Sequence, residues 1–258
     1  MTAKRDPRRV VITGASGAIG GALALAYAAP GVTLFLQGRR ADRLAALAGQ
    51  CRARGAQAQV GVLDVADEPA LRAWLRGICR HAPPDLLVVA AGMNISLAPG
   101  RAAEDAGEAR RLMEVNVQAA IATVDAVAPA MRARGSGQIA LLGSLAAFRG
   151  LPQVPSYSAS KAAIKAYGEA MRDVLAADGV WLSVVMPGYV DSSMCRGMPG
   201  PKPFLWQPPR AARAIRRGLR ARRARIVFPF WLGLGTRLLG VMPAGLSSWI
   251  LRRLGYGA

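Results

Sequence analysis

Short, continuous apolar runs recur along most of the chain, and longer amphipathic stretches separate them. Val10 to Thr13, "VTLFLQG", "AQVGVLDV", "DLLVVAAG", "GQIALLGS" and "VWLSVVMPG" are the runs. A strand with one wet face alternates apolar and polar residues; an unbroken apolar run marks a strand covered on both faces. The intervening segments read as helices: the Ala/Leu-rich stretch after Gly20, "RADRLAALAGQCRARG" closing at Gly55, and "EPALRAWLRGICR" with Pro69 near its start. One long helical stretch from about Glu104 to Arg134 and a last one through "PSYSASKAAIKAYGEAMRDVLAADG" complete the set. Strand–helix alternation of this kind predicts an α/β fold, a doubly wound parallel sheet with helices on both faces. No linker or repeat interrupts it, so a single domain over residues 1–258 is expected. Past Pro187 the pattern loosens into a Gly/Pro-rich loop. Residues 208–258 then form an extension: an Arg-rich helix, a short strand "RIVFP" and an apolar tail.

Composition narrows the classes. With 258 residues, 52% of them hydrophobic, the chain can bury a large core. Its formal net charge is +19, carried mostly by arginine, and residues 210–225 hold eight arginines and no acid. That segment has no interleaved aromatics and no recognition motif, so no nucleic-acid partner is expected. Cys51, Cys79 and Cys195 lie far apart and match no zinc or redox spacing. They read as free thiols of a reducing cytosol, and with His81 as the one histidine, placed on a loop, no metal site is expected. The charged start runs straight into a strand, so no signal peptide and a cytoplasmic location are expected. "IVFPFWLGLGTRLLGVM" is broken by Pro229, glycines and Arg237, too interrupted to span a bilayer but able to lie on the inner membrane surface.

The chemistry starts at Thr13-Gly14-Ala15-Ser16-Gly17-Ala18-Ile19-Gly20, between the first strand and the first helix. Glycines at 14, 17 and 20 allow a tight turn, and a helix start offers N–H groups and a positive dipole end to a pyrophosphate. In this context the turn predicts a Rossmann-type nucleotide site formed by Gly14, Ser16, Gly17, Ala18, Ile19 and Gly20. The second strand ends in Gln37-Gly38-Arg39-Arg40. An NAD enzyme places an acid there to meet the ribose hydroxyls, whereas two guanidiniums suit a 2′-phosphate, so NADPH is expected over NADH. Asp64 and Val65 follow the third strand and are placed to meet the adenine ring.

Tyr157 and Lys161 stand four apart on a helix, one turn from each other on the same face. Asn116 lies in "EVNV", Ser144 ends the fifth strand 13 residues before Tyr157, and Pro187-Gly188 precedes Ser192. This ordered set resembles the short-chain dehydrogenase/reductase family in its ~250-residue form, over about residues 8–195. One departure is Val89-Ala90-Ala91-Gly92, where the family shows Asn-Asn-Ala-Gly; the small Ala91-Gly92 end is kept. The resemblance implies a catalytic set of Asn116, Ser144, Tyr157 and Lys161. It makes Tyr157 the general acid or base, its phenol made acidic by the Lys161 ammonium. Ser144 would hold the substrate oxygen, Lys161 the nicotinamide ribose, and Asn116 a water leading to that lysine. Ala91, Gly92, Pro187, Gly188, Val190 and Ser192 would complete the cofactor site.

The substrate pocket should lie beyond the carboxyl ends of the strands, walled by residues 93–100, 145–156 and 189–209. Those segments carry Met93, Leu97, Leu145, Phe148, Leu151, Met194, Met198, Phe204 and Trp206, with few charges (Arg149, Asp191, Arg196). Ser144, Leu145, Tyr157, Met194 and Met198 are the expected substrate contacts, and a lipophilic ketone, aldehyde or alcohol the expected substrate. The resemblance also implies a homodimer or homotetramer. The apolar tail has two readings: it packs over the pocket or on a partner subunit, or it meets a membrane with arginines at the headgroups. The rivals to an oxidoreductase are a cofactor-binding regulatory or scaffold protein and a membrane-surface-associated protein, each of the same fold.

Overall fold

The computed structural model describes residues 6–97 and 103–256. Residues 98–100 of the first expected pocket wall, and both chain ends, lie outside the described residues. Seven strands, β1 (Arg9–Thr13), β2 (Thr33–Gly38), β3 (Gln57–Val62), β4 (Leu86–Val89), β5 (Gly137–Leu142), β6 (Val180–Pro187) and β7 (Arg225–Phe228), pair in the order β3-β2-β1-β4-β5-β6-β7. Every pairing is parallel. β1 sits between β2 and β4, with Val11 opposite Phe35 on one side and Leu87 on the other. The chain winds outward from β1 in both directions, so a crevice opens at the carboxyl ends of β1 and β4.

Helices α1 (Ala18–Tyr27), α2 (Ala41–Arg52) and α8 (Pro208–Arg220) cover one face of the sheet. On the other face lie α3 (Glu68–His81), α5 (Ala119–Arg134) and α6 (Pro155–Ala176). Each cover follows from an apolar stripe. In α3, Leu71, Leu75 and Ile78 recur at helical spacing and are buried, each contributing about 1.5–3 kcal/mol. Asp67 caps this helix, its side chain accepting from Ala70 N at 3.1 Å, with a proline in the first turn. The three cysteines are free thiols, Cys51 and Cys195 buried and Cys79 half-buried.

Several expectations change. β3 is an edge strand, so its outer residues face water: Val60 and Val62 are exposed, and this run is not covered on both faces. His81 ends α3 instead of lying on a loop. The stretch expected as one regular helix is α4 (Ala106–Met113) and α5 joined by a π turn at Glu114–Gln118. A π turn carries one extra residue and rotates the helix face. A one-residue slip inside an apolar stretch leaves no clear mark on periodicity. Its effect is local and useful, because it puts Asn116 into the interior of the site.

Gly14 has φ +68, and a Cβ there would meet Ala91 N at 2.6 Å. A side chain is therefore impossible, and the turn after β1 can lie directly against the end of β4. Beyond β6 come the short α7 (Ser193–Gly197), then α8 and β7, and finally α9 (Phe230–Val241) and α10 (Ala244–Arg253). Among the described residues, no helix is long and apolar enough to cross a membrane.

Candidate active site

One cavity of about 940 Å³ occupies the crevice. Its first end is the glycine turn, where Gly14, Ser16, Gly17, Ala18, Ile19 and Gly20 all line the wall. Gly17 precedes α1 as its N-cap and has no side chain to cap it, so the first N–H groups of the helix face the cavity end without a capping acceptor. Gln37 braces the turn: its Oε1 accepts from Gly14 N at 3.0 Å and its Nε2 donates to Leu63 O at 2.7 Å. Arg39, Arg40, Asp64 and Val65 form the rim beside it. Arg40 donates to Ser16 O at 3.0 Å. Asp64 forms an ion pair with Arg111 of α4 at 2.5 Å, and Arg39 stands 3.8 Å away. Asp64 therefore lines this rim with its carboxylate already engaged by Arg111, a residue that sequence spacing did not single out.

Ala91 and Gly92 continue the wall past β4. Asn116 is not on the wall but behind it. Its Oδ1 accepts from Met93 N at 2.8 Å, and its Nδ2 donates to Met93 O at 2.9 Å and to Ser160 Oγ at 3.0 Å. A Cβ on Gly92 would lie 3.2 Å from Asn116 Oδ1 and 3.7 Å from Lys161 Nζ, so glycine is what lets the asparagine, the lysine and the strand end converge. Ser160, a link in this network, donates to Tyr157 O at 2.7 Å.

Ser144, Tyr157 and Lys161 line the cavity together. Ser144 is two residues past the end of β5, where its side chain accepts from Ala146 N and begins a short 3₁₀ turn. Its hydroxyl lies near the Tyr157 phenol and works to lower the phenol's pKa. Lys161 is buried, donates to Leu142 O at 2.9 Å and sits 5.5 Å from the centre of the Tyr157 ring. Burial drives the electrostatics. It lowers Lys161 from 10.5 to about 8. It also raises the Tyr157 phenol above 10, with Ser144 pulling the other way. The acidic phenol expected from the Tyr–Lys spacing is therefore not what this pocket makes by itself. Desolvation outweighs a lysine that lies beside the ring and is itself weakened. The phenol holds its proton firmly at neutral pH, which suits an acid better than a base.

Pro187, Gly188, Val190 and Ser192 border the same space. Ser192 caps α7, accepting from Cys195 N at 3.0 Å. The remaining walls are mostly apolar: Met93, Leu145, Leu151, Met194, Met198 and Phe204 take part as expected. Leu97, Phe148 and Trp206 do not line the cavity. Trp206 instead stacks on Phe228 at 4.9 Å and pairs its strand-like segment with Tyr189 and Val190, anchoring the loop. Arg149 reaches the wall, while Asp191 and Arg196 pair with each other outside it.

The tail supplies what the spacing rules missed. Trp231, Leu232, Thr236 and Leu239 of α9 and Leu251, Leu254 and Tyr256 at the chain end all line the cavity. Tyr256 donates to Pro201 O at 2.9 Å and lies near Tyr189, which stands in the same wall. Of the two readings of the tail, packing over the pocket holds for these inner side chains.

A family model described as short chain dehydrogenase matches residues 8–199. An uncharacterized oxidoreductase of Myxococcus xanthus is 34% identical over 253 residues, spanning 98% of this chain and 99% of that protein. A short-chain dehydrogenase from Sphingobium yanoikuyae, solved in complex with NADPH, superposes with a TM-score of 0.79 at 27% identity, covering 91% of this chain and 96% of its own. An NAD+-bound xylitol dehydrogenase superposes with a TM-score of 0.67 at 29% identity, covering 71% of each chain.

Proposed function

The chain belongs to the short-chain dehydrogenase family of NAD(P)-dependent oxidoreductases, and on that premise we propose that it reduces a lipophilic ketone or aldehyde with NADPH, or oxidises the matching alcohol. The observation that carries this reading is the meeting of Ser144, Tyr157 and Lys161 in one mainly apolar cavity whose far end is the glycine turn.

The residues present fit a dinucleotide. With no side chain, Gly14 lets the turn lie directly against the end of β4, and the uncapped start of α1 offers N–H groups to a pyrophosphate. Arg39 and Arg40 would take the 2′-phosphate at a strand end with no carboxylate of its own. Ala91, Gly92, Pro187, Gly188, Val190 and Ser192 would border the nicotinamide half, and Lys161 would hold its ribose. When bound, the reduced cofactor supplies the hydride. The protein supplies the proton and the positioning. Ser144 hydrogen-bonds the carbonyl oxygen and sets it against Tyr157. The Tyr157 hydroxyl donates its proton to that oxygen as negative charge builds there. Lys161, on the same helix face, stabilises the phenolate left behind. Asn116 holds Met93 and Ser160 in place and so keeps the floor under Lys161 rigid.

Support for NADPH comes from the two arginines and from the NADPH-bound relative; the NAD+-bound relative is the counterweight. With an aromatic or long-chain carbonyl as substrate, kcat/KM is expected to be higher with NADPH than with NADH. The Arg39→Ala/Arg40→Ala pair should lower that preference by roughly 10–100-fold, mainly through the KM for NADPH. A wild-type preference for NADH, or for small polar anions as substrate, would overturn the corresponding half of the proposal. The same reading includes a homodimer or homotetramer formed through the outer faces of the long helices α5 and α6. A monomer by light scattering would remove it.

A further inference from the structure

The tail has a second face. On α9, Phe230, Leu234, Leu238 and Val241 recur at helical spacing and point away from the cavity, beside the exposed Trp231. Phe230 is 69% exposed, Trp231 68% and Val241 82%. On α10, Leu246 and Trp249 are exposed too, and Arg253 lies over the Trp249 ring at 5.6 Å. A soluble surface rarely leaves two consecutive helices so apolar on the outside. The cavity opens onto this surface, because Met194, Phe204, Trp231 and Leu254 each line the cavity and are each exposed. Its rim is therefore greasy.

Charge identifies what covers the face. From residue 192 to the end, the sequence carries twelve arginines and Lys202 and not one Asp or Glu. Arg237 on α9 and Arg252 and Arg253 on α10 sit among the exposed apolar residues. A second copy of the chain meeting this face two-fold would set these arginines against their own copies, and the segment has no carboxylate to answer them. A surface that is both apolar and negatively charged meets both demands.

We propose that the outer face of α9 and α10 seats on an anionic lipid bilayer, with the cavity mouth turned toward the lipid. Trp231, Trp249, Phe230 and Val241 enter the interfacial layer, and Arg237, Arg252 and Arg253 meet the phosphates. A lipophilic carbonyl then reaches Tyr157 from the bilayer without crossing water. This last step rests on the proposed activity; the docking itself does not.

The test uses the full chain and vesicles of phosphatidylcholine, alone or mixed with phosphatidylglycerol, read by co-sedimentation and by the blue shift of tryptophan emission. Binding is expected on the mixed vesicles, weakened by raised salt and much weaker on phosphatidylcholine alone. The triple variant Phe230→Ser/Val241→Ser/Trp249→Ser replaces no cavity-lining residue and should lose binding while keeping its circular dichroism. The triple variant Arg237→Gln/Arg252→Gln/Arg253→Gln should lose roughly 100-fold in partitioning to the mixed vesicles and little on phosphatidylcholine. Wild-type binding by both variants, or no vesicle binding by the wild type, would overturn the proposal. So would light scattering in which the apolar variant turns a dimer into a monomer, because a second copy would then own the face. Partitioning is read without substrate, so a failure here leaves the oxidoreductase reading standing, and the reverse also holds.

Discussion

Tyr157→Phe is expected to lower kcat for carbonyl reduction by about 10²–10⁴-fold, the usual contribution of a positioned proton donor. NADPH affinity should hardly change. The substitution removes one oxygen and keeps the ring, which packs with Ile95, Leu112, Ala146 and Val154 in a small apolar cluster. The fold therefore has no reason to fail, and the lost atom is the hydroxyl on which Ser144 acts. Rate and affinity separate cleanly: single-turnover reduction reads the first, and quenching of protein fluorescence by NADPH reads the second. A variant that turns over near the wild-type rate would take Tyr157 out of the proton transfer.

Lys161→Met should give the opposite signs for stability and activity. Lys161 is buried, and the ammonium has a backbone carbonyl as hydrogen-bond acceptor and, among the described residues, no carboxylate as salt-bridge partner. Its fall from 10.5 to about 8 corresponds to a penalty of about 3 kcal/mol for holding the charge inside. Methionine removes that penalty but leaves Leu142 O without its donor, so a net gain of about 1–2 kcal/mol is expected. On the proposed mechanism turnover should collapse, because nothing would then stabilise the phenolate or grip the ribose. Linkage fixes the pH signature. The folded protein holds fewer protons at this site than the unfolded chain between about pH 8 and 10.5. Wild-type stability therefore rises with pH in that window, and the advantage of the variant shrinks there. A melting-temperature difference that stays constant from pH 7 to beyond 10 would refute the buried-charge account. The same group sets the rate profile. For the wild type, kcat/KM should hold up to about pH 8 and decline above it as Lys161 loses its proton.

These two variants also mark where sequence reading succeeds and where it stops. The Tyr157–Lys161 spacing was legible because both residues lie on one helix, and helix geometry alone places them on one face. The glycine turn was legible for the same reason: strand, turn and helix are contiguous. The electrostatic consequence was not. Burial of the pair by the elements around it reversed the expected shift of the phenol. Asn116 was found by its position in an ordered motif, yet the π turn that aims it, and Ser160 that receives it, left no pattern in the residues.

Local spacing and binary pattern are short-range properties. By themselves they determined the parallel α/β sheet, the glycine turn, the arginines at the end of β2 and the order of Ser144, Tyr157 and Lys161. The folded chain alone decided which distant segments share a wall. Arg111 reaches Asp64 across 47 positions, and Tyr256 closes onto Pro201 across 55. The C-terminal tail divides into an inner face on the cavity and an outer apolar, basic face. No pattern within a helix specifies such meetings, because they depend on how the sheet's twist and the packing of both layers bring remote elements to one edge.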